Sequence, residues 1–300
     1  MPDTTQVLFV GLGTMGLPMA TNLVRRGFAV AGFDLVGASV DAFARAGGRR
    51  GADVVAAARD CDVLVTMLPD DRAVNEAMAG ERGLIARLQP GALVIEMSTT
   101  GPRTKQALRV EAAARGVDFI ECPVGKTVEH AIAGTLSLMA GGDEALIDRA
   151  RPILDAMGSE VHVCGDVGAA SAMKLINNAL VACINAASIE ALVAGSKANL
   201  SVDTMMSVLK TTMAWNNSLA IALPRKALKR DFKPGFTTRL AHKDVGLALE
   251  MARELDVPMR QGEAAFALLG QALDDGYGAD DTPGSMLRAC EARGGVRLES

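Results

Sequence analysis

Aromatic residues are scarce in this 300-residue chain, at 3% of the sequence, although hydrophobic residues make up 49%. A core of Ala, Val, Leu, Ile and Met is typical of helices packed on a parallel sheet. The chain also has no large excess of either charge, because its 31 basic and 35 acidic residues give a net charge of -4. No basic stripe is therefore available for nucleic acid or an anionic membrane surface, and small molecules are the expected partners.

Paired cysteines, clustered histidines and long apolar runs are also absent from the sequence. The five cysteines are widely spread and form no CxxC pair, which predicts neither a disulfide framework nor a zinc site. The histidines, His130, His162 and His242, are too scattered for a metal site. No charge-free apolar stretch reaches about 18 residues, and no basic segment precedes the first strand, so we expect a cytoplasmic protein.

Short apolar strands alternate with helical or polar stretches over the first half of the chain. The expected strands lie at 7–10, 28–34, 63–68, 92–96, 118–121, 137–140 and 160–164. Such alternation builds a parallel sheet with helices on both faces, which predicts an α/β fold.

Beyond residue 165 only helical spacing remains. Its expected breaks lie at Asn199, Pro224, Pro234 and Pro258. We therefore expect a parallel-sheet domain at 1–165 and an all-helical domain for substrate binding and oligomerisation at 166–300. A long interdomain helix over 169–199 would begin the second domain.

A glycine-rich turn directly follows the first strand. The run Gly11-Leu12-Gly13-Thr14-Met15-Gly16 is a GxGxxG between a strand and a helix, and this context indicates a dinucleotide site. The first glycine permits a tight turn, the second leaves room for a pyrophosphate, and the third lets the helix approach the strand. We expect this run to bind the cofactor in a Rossmann-type domain.

Strand ends supply further candidate cofactor contacts. Asp34 ends the second strand, where a carboxylate accepts from ribose hydroxyls and repels a 2′-phosphate. NAD is therefore the expected cofactor, and use of NADP as well stays open. Leu68, Pro69 and Thr99 follow later strands and are expected to line the nicotinamide side, because ligands lie at the carboxyl ends of parallel strands. An ordinary strand end explains Leu68 and Pro69 almost as well.

One face of the long predicted helix carries polar groups. Lys174, Asn177 and Asn178 have the spacing that brings side chains together on a helix. Oxidation of a hydroxyl group needs a base for its proton, and an amine partly removed from water has a pKa closer to the working pH. An exposed lysine beside structural asparagines is the alternative, which the upstream dinucleotide site disfavours.

Four segments carry a family resemblance: GLGTMGLPMATNL, the Pro123-Val124 pair, GAASAMKLINN and AHKD. In their order and separations the chain resembles the β-hydroxyacid dehydrogenase family, which includes 3-hydroxyisobutyrate and tartronate semialdehyde dehydrogenases. The resemblance implies an NAD-dependent oxidoreductase in which Lys174 transfers the proton and Asn178 hydrogen-bonds the substrate. It also implies a homodimer or homotetramer. The residues that it places around NAD are Thr14, Met15, Asp34, Leu68, Thr99 and Lys243.

One segment departs from the commoner family pattern, in which Ser-Gly-Gly follows the Pro-Val pair. Gly125-Lys126-Thr127 stands there instead and resembles the subgroup of 3-sulfolactaldehyde reductases, in which a basic residue meets the sulfonate. Because an ammonium suits a tetrahedral anion, Lys126 and Thr127 are expected to hold the acid group of the substrate. Asn177 and Asn178 are the further expected substrate contacts. A solvated loop lysine is the alternative for Lys126.

The expected reaction is reduction of 3-sulfolactaldehyde by NADH, or its reverse, with Lys174 as proton donor or acceptor. Activities on succinic semialdehyde, 3-hydroxyisobutyrate or tartronate semialdehyde are the alternatives. Imine reduction is disfavoured, because relatives of that kind tend to carry a different residue in place of this lysine. Outside enzymes, the alternative is a non-catalytic NAD-binding module that acts in protein interactions.

Overall fold

The computed structural model of the protein describes residues 5–51 and 53–298. The chain divides into two compact units, Met1–Lys174 and Leu175–Ser300. The outer ends of the two expected domains, at residues 1 and 300, lie outside the described residues.

One sheet organises the N-terminal unit. Its strands are β1 (Gln6–Val10), β2 (Ala29–Phe33), β3 (Arg49–Arg50), β4 (Val63–Thr66), β5 (Leu93–Glu96), β6 (Asp118–Glu121), β7 (Val124–Gly125), β8 (Leu136–Gly141) and β9 (Gly158–Gly165). Their order is β3-β2-β1-β4-β5-β6-β8-β7, with β9 paired to β8. From β3 to β6 all neighbours are parallel, which confirms the Rossmann-type sheet.

The sheet differs from an all-parallel arrangement at β8, which runs antiparallel to β6 and β7 and parallel to β9. The segment 126–135 joins β7 to β8 and is shorter than the crossover of about a dozen residues that parallel strands need. The chain therefore returns alongside β7 in the opposite direction. Gly134 helps it turn, with a left-handed φ of 68°.

The central strands are buried on both faces, which explains their nearly continuous apolar sequence. In β1, Val7 and Phe9 pack into the hydrophobic cluster on one face of the sheet, whereas Leu8 and Val10 pack into a second cluster on the other face. Successive side chains of a strand point to opposite faces, so each strand contributes to both layers. Helices cover the two clusters, as expected for an α/β unit.

Helices follow most strands of this unit, and several begin at an aspartate. They are α1 (Gly16–Arg25), α2 (Gly37–Arg45), α3 (Val54–Asp60), α4 (Asp71–Met78), α5 (Pro102–Ala113), α6 (Val128–Ala133) and α7 (Glu144–Met157). The carboxylates of Asp53, Asp70 and Asp143 accept hydrogen bonds from amides in the first turns of α3, α4 and α7. These caps satisfy amides that have no partner within the helix.

In its described residues the C-terminal unit consists of helices joined by loops, with one isolated bridge between Thr237 and Asp281. Its helices are the later part of α8 (Ala169–Lys197), then α9 (Val202–Leu209), a π-helix (Ser218–Ala227), α10 (Thr238–Glu254), α11 (Arg260–Asp274) and α12 (Thr282–Gly294). This confirms the expected helical second half. The expected break at Pro224 is wrong, because this residue lies inside the π-helix, an irregularity that absorbs such a disruption.

Helix α8 is long and apolar enough to cross a membrane by length and composition alone. Its most apolar 18-residue window is 44% buried in the protein. The core helix of an ordinary globular protein meets the same criteria, so this property by itself is weak evidence of a membrane span.

An ion pair is enclosed in the N-terminal unit, where Lys105 on α5 meets Glu96 at the end of β5, both fully buried. Glu96 Oε1 also accepts from Thr66 Oγ1 at 3.1 Å and from the Ser98 amide at 3.0 Å. Lys105 Nζ donates to the Ser98 carbonyl oxygen at 2.8 Å. The pair thus links the ends of β4 and β5 to α5.

Replacing Lys105 with Met should lower the free energy of unfolding by about 3–5 kcal/mol, because it leaves Glu96 charged and uncompensated in the core. Urea denaturation measures the change. The double variant Glu96→Gln/Lys105→Met should regain part of this loss, since the buried charge is gone. As the control, Arg72→Met breaks an exposed pair with Glu76 and should change stability by less than about 1 kcal/mol. Equal losses in Lys105→Met and Arg72→Met would contradict this account.

Candidate active site

The glycine-rich turn between β1 and α1 depends on the absence of side chains. Gly11 has a left-handed φ of 98°, and a Cβ there would collide with the carbonyl oxygen of Met67. A Cβ on Gly16 would collide with the carbonyl oxygen of Gly11. At Gly13, by contrast, a Cβ would meet no atom within 4 Å, so the space beside this residue is open.

Asp34 closes the glycine-rich turn from the end of β2. Its Oδ2 accepts from the Leu12 amide at 2.7 Å, and its Oδ1 accepts from the Val36 amide at 2.8 Å. Each carboxylate oxygen can accept a further hydrogen bond, so these contacts leave acceptor capacity for ribose hydroxyls. The carboxylate therefore has a structural role in addition to the cofactor role that its position predicts.

The residues of this turn fit a dinucleotide. No side chain caps the start of α1, and its first turn carries no acidic residue. The positive end of the helix dipole is therefore left to an anion, and the open space at Gly13 admits one. Together with Asp34, these features would hold a pyrophosphate and a ribose.

The ends of β4 and β5 meet beside each other, as the sheet order requires. The Leu68 amide donates to Ser98 Oγ at 2.8 Å, which joins the segments carrying Leu68, Pro69 and Thr99. Leu68 and Thr99 are half-buried, and Pro69 is exposed. The role of these three residues toward the nicotinamide stays a prediction.

The residue predicted for proton transfer and the two asparagines predicted to contact the substrate lie on α8. Lys174 is half-buried and is the last residue of the N-terminal unit, whereas Asn177 and Asn178 belong to the C-terminal unit. All lie on one continuous helix, so their helical spacing is as predicted.

Asp244 is a functional candidate that sequence reasoning missed. Its side chain is only 2% exposed, its Oδ2 accepts from Asn178 Nδ2 at 2.6 Å, and its Oδ1 lies 2.9 Å from Lys243 Nζ. Asn178 Oδ1 in turn accepts from Asn177 Nδ2 at 3.0 Å. The structure thus brings the predicted substrate asparagines and the predicted cofactor lysine together around one buried acid.

The sequence contained a signal for this acid. Asp244 follows Ala241 by three residues and precedes Ala248 by four, and both alanines are buried in α10. A carboxylate on the buried face of a helix requires partners, because an unpaired charge is costly to bury. That requirement points to a neighbouring cation and amide.

Lys126 and Thr127 follow β7 in the N-terminal unit. Lys126 has a left-handed φ of 73°, a conformation that favours glycine. Its Nζ donates to the Thr135 carbonyl oxygen at 3.0 Å and lies 4.0 Å from Glu160 Oε1. Thr127 Oγ1 and His130 Nδ1 form a hydrogen bond at 2.9 Å. The two side chains thus have different partners within this unit.

The cysteines of the chain are buried or half-buried. All five thiols are free, and burial raises the pKa of Cys61 to about 12 and that of Cys290 to about 11. Burial also raises the pKa of Cys122, which packs in the core beside the Pro-Val pair. In the part of the chain that the structure describes, no group of three or more His, Cys, Asp or Glu residues could hold a metal ion.

Comparison with known proteins decides the family. Residues 6–165 match the family model of the NAD binding domain of 6-phosphogluconate dehydrogenase. Residues 168–290 match the model described as NAD-binding of NADP-dependent 3-hydroxyisobutyrate dehydrogenase. The chain is 39% identical to the 3-sulfolactaldehyde reductase of Escherichia coli over 92% of each chain. The chain belongs to the β-hydroxyacid dehydrogenase family.

Two other family members are similar to this chain over nearly its whole length. The 3-hydroxyisobutyrate dehydrogenase of Pseudomonas aeruginosa is 34% identical, over 92% of this chain and 96% of its own. The solved structure of Mycobacterium tuberculosis 3-hydroxyisobutyrate dehydrogenase with L-serine superposes with a TM-score of 0.87 at 30% identity, over 94% of this chain and 98% of that one. As a β-hydroxyacid dehydrogenase, the protein is an NAD-dependent oxidoreductase acting on CH–OH groups. This confirms the predicted enzyme class and cofactor over the non-catalytic alternative.

Gly13→Ala should weaken NADH binding by about tenfold or more, because its Cβ enters space that the pyrophosphate needs. The melting temperature should not fall, since that Cβ meets no protein atom within 4 Å. Fluorescence titration with NADH and thermal denaturation measure the two effects. In Gly270→Ala, the control on α11, the added Cβ makes only an ordinary contact with His242 at 3.7 Å. Equal NADH affinity in both variants would refute this role for Gly13.

Proposed function

We propose that this β-hydroxyacid dehydrogenase reduces 3-sulfolactaldehyde with NADH and catalyses the reverse oxidation with NAD. The observation that carries the proposal is the cationic side chain of Lys126 in the Gly125-Lys126-Thr127 segment. A sulfonate is a tetrahedral anion with three acceptor oxygens, and an ammonium group can donate charge-assisted hydrogen bonds to it. The similarity to a 3-sulfolactaldehyde reductase supports the same substrate.

The backbone conformation of Lys126 supports a functional role for this residue. A left-handed φ of 73° costs a lysine more than a glycine. An ammonium has three donors, and the contacts with the Thr135 carbonyl oxygen at 3.0 Å and with Ser159 Oγ at 3.5 Å use two of them. We propose that Lys126 directs the remaining donor to the acid group, with Thr127 as a second donor.

Lys174 is the proposed proton donor to the carbonyl oxygen during reduction and the base during oxidation. NADH, when bound, supplies the hydride to the carbonyl carbon. Asn177 and Asn178 are the proposed hydrogen-bond donors to substrate oxygens. One Asn178 Nδ2 hydrogen already bonds Asp244 Oδ2 at 2.6 Å, which orients the amide and leaves its second hydrogen available.

Lys174→Ala should lower kcat for aldehyde reduction by about 10²–10⁴-fold, because the oxyanion loses its proton donor. NADH affinity should stay within about twofold, since this residue is not a proposed cofactor contact. Steady-state oxidation of NADH and fluorescence titration measure these quantities. Lys197→Ala removes an exposed lysine from the same helix and should leave kcat unchanged. Turnover by Lys174→Ala at the rate of Lys197→Ala would overturn the assignment.

Lys126→Gly should lower kcat/KM for 3-sulfolactaldehyde by about tenfold or more, because the sulfonate loses its counter-charge. Glycine suits the left-handed backbone, so the variant removes the cation without straining the chain. Lys126→Arg should restore much of the activity. A small uncharged aldehyde should be reduced equally by the parent enzyme and by both variants. An equal loss with the uncharged aldehyde would contradict the proposed role in charge recognition.

Substrate preference within the family requires direct comparison. Succinic, methylmalonate and tartronate semialdehydes carry a planar carboxylate in place of the tetrahedral sulfonate. On the proposed assignment, 3-sulfolactaldehyde has the highest kcat/KM in this panel. A higher value for one of the semialdehydes would favour the corresponding dehydrogenase activity instead.

Assembly and location are proposed on the same family basis. We infer a homodimer or homotetramer, as is implied for β-hydroxyacid dehydrogenases. The five free thiols fit a reducing compartment, which supports a cytoplasmic enzyme. Preference for NAD over NADP is proposed from the negative charge of Asp34 at the end of β2.

A further inference from the structure

Glu121, the last residue of β6, is completely buried and holds the start of α8. Its Oε1 accepts from the Gly168 amide at 2.6 Å and from the Ala170 amide at 2.9 Å. Its Oε2 accepts from Ser171 Oγ. The first turn of α8 contains no acidic residue of its own, so a carboxylate from a distant strand caps this helix.

The neighbouring strand leaves room for this carboxylate. Gly141 of β8 pairs with Glu121, and a Cβ on Gly141 would lie 2.7 Å from Glu121 Oε1. That separation is shorter than any ordinary contact between such atoms, so a side chain there would displace the carboxylate. The glycine and the acid therefore form one arrangement, in which the strand end accepts the amides of α8.

We propose that Glu121 is a positioning residue for Lys174. This inference rests on the proposed proton transfer by Lys174. Lys174 follows Ser171 by three residues, so it lies one helical turn beyond the hydroxyl that Glu121 binds, within the same compact unit. A helix is stiff over one turn, so the contacts of the Glu121 carboxylate with the start of α8 set the position of the lysine amine relative to the carboxyl ends of the strands.

Loss of the Glu121 carboxylate removes the acceptor of the Gly168 amide, the Ala170 amide and the Ser171 hydroxyl. The first turn of α8 must then shift or fray to satisfy them. Misplacement of a catalytic group by about 1 Å can reduce the rate by about 10²-fold. The effect should appear in kcat, because the hydrogen bonds described for the Glu121 carboxylate go to the start of α8 and not to the residues that are proposed to bind NAD.

The test compares Glu121→Ala, Glu121→Gln and a control in the full-length enzyme, with kcat expressed per NADH-binding site. Glu121→Ala should lower kcat for 3-sulfolactaldehyde by about 10–100-fold, with NADH affinity within about twofold. Glu121→Gln keeps an acceptor oxygen for both amides and should retain kcat to within about threefold. Glu111→Ala is the matched control, because the Glu111 carboxylate accepts from the Gly80 amide at 2.9 Å, away from α8. Its kcat should be unchanged.

Hydrogen exchange provides a second readout. The amides at the start of α8 should exchange faster in Glu121→Ala than in Glu121→Gln. If Glu121→Ala yields no NADH-binding protein, Gly141→Ala tests the same contact while keeping the carboxylate, and its kcat should also fall.

Two results would overturn the inference: a kcat per NADH site within about twofold of the parent in the folded alanine variants, or an equal loss in Glu121→Ala and Glu121→Gln. Failure of the underlying function is distinguishable, because Lys174→Ala would then retain turnover. An inactive Lys174→Ala beside a fully active Glu121→Ala would reject only the positioning role.

Discussion

The close backbone approach between β1 and α1 is the constraint on which the cofactor site depends. A side chain on Gly11 would collide with the Met67 carbonyl, and one on Gly16 would collide with the carbonyl of Gly11. Because neither residue has one, α1 begins directly against the strand, and Asp34 secures the turn by accepting from the Leu12 amide at 2.7 Å. The resulting helix end has no side-chain cap, and an anion is favoured there.

Buried carboxylates then hold the segments that carry the other candidate residues. Glu96 and Lys105 link the ends of β4 and β5, Glu121 caps α8, and Asp244 orients Asn178. A buried charge is costly unless its partners are correctly placed, so each acid accepts only a narrow range of geometries. The same requirement that makes these groups sensitive to substitution therefore fixes the geometry of their neighbours.

Substrate choice separates from the chemical step in this arrangement. On the proposed assignment, Lys174 on α8 would serve any β-hydroxy acid, because every reduction of a carbonyl to a hydroxyl adds a proton to the carbonyl oxygen. The segment Gly125-Lys126-Thr127 differs from the commoner Ser-Gly-Gly, and on the proposed assignment its cation would favour a sulfonate. A short segment after β7 can therefore change specificity while the sheet and α8 stay the same.

The sequence by itself determined the dinucleotide domain, the helical second half and the spacing on α8, because glycine geometry, strand alternation and helical periodicity are local properties. The two-residue strands β3 and β7 escaped prediction, since so short a segment has no period. Only the tertiary structure decided the direction of β8 and the partners of Glu121 and Asp244. The contacts of Glu121 with the start of α8 and of Asp244 with Asn178 join residues 47 to 66 positions apart in the sequence, and no local pattern encodes which distant donor a buried acid will meet.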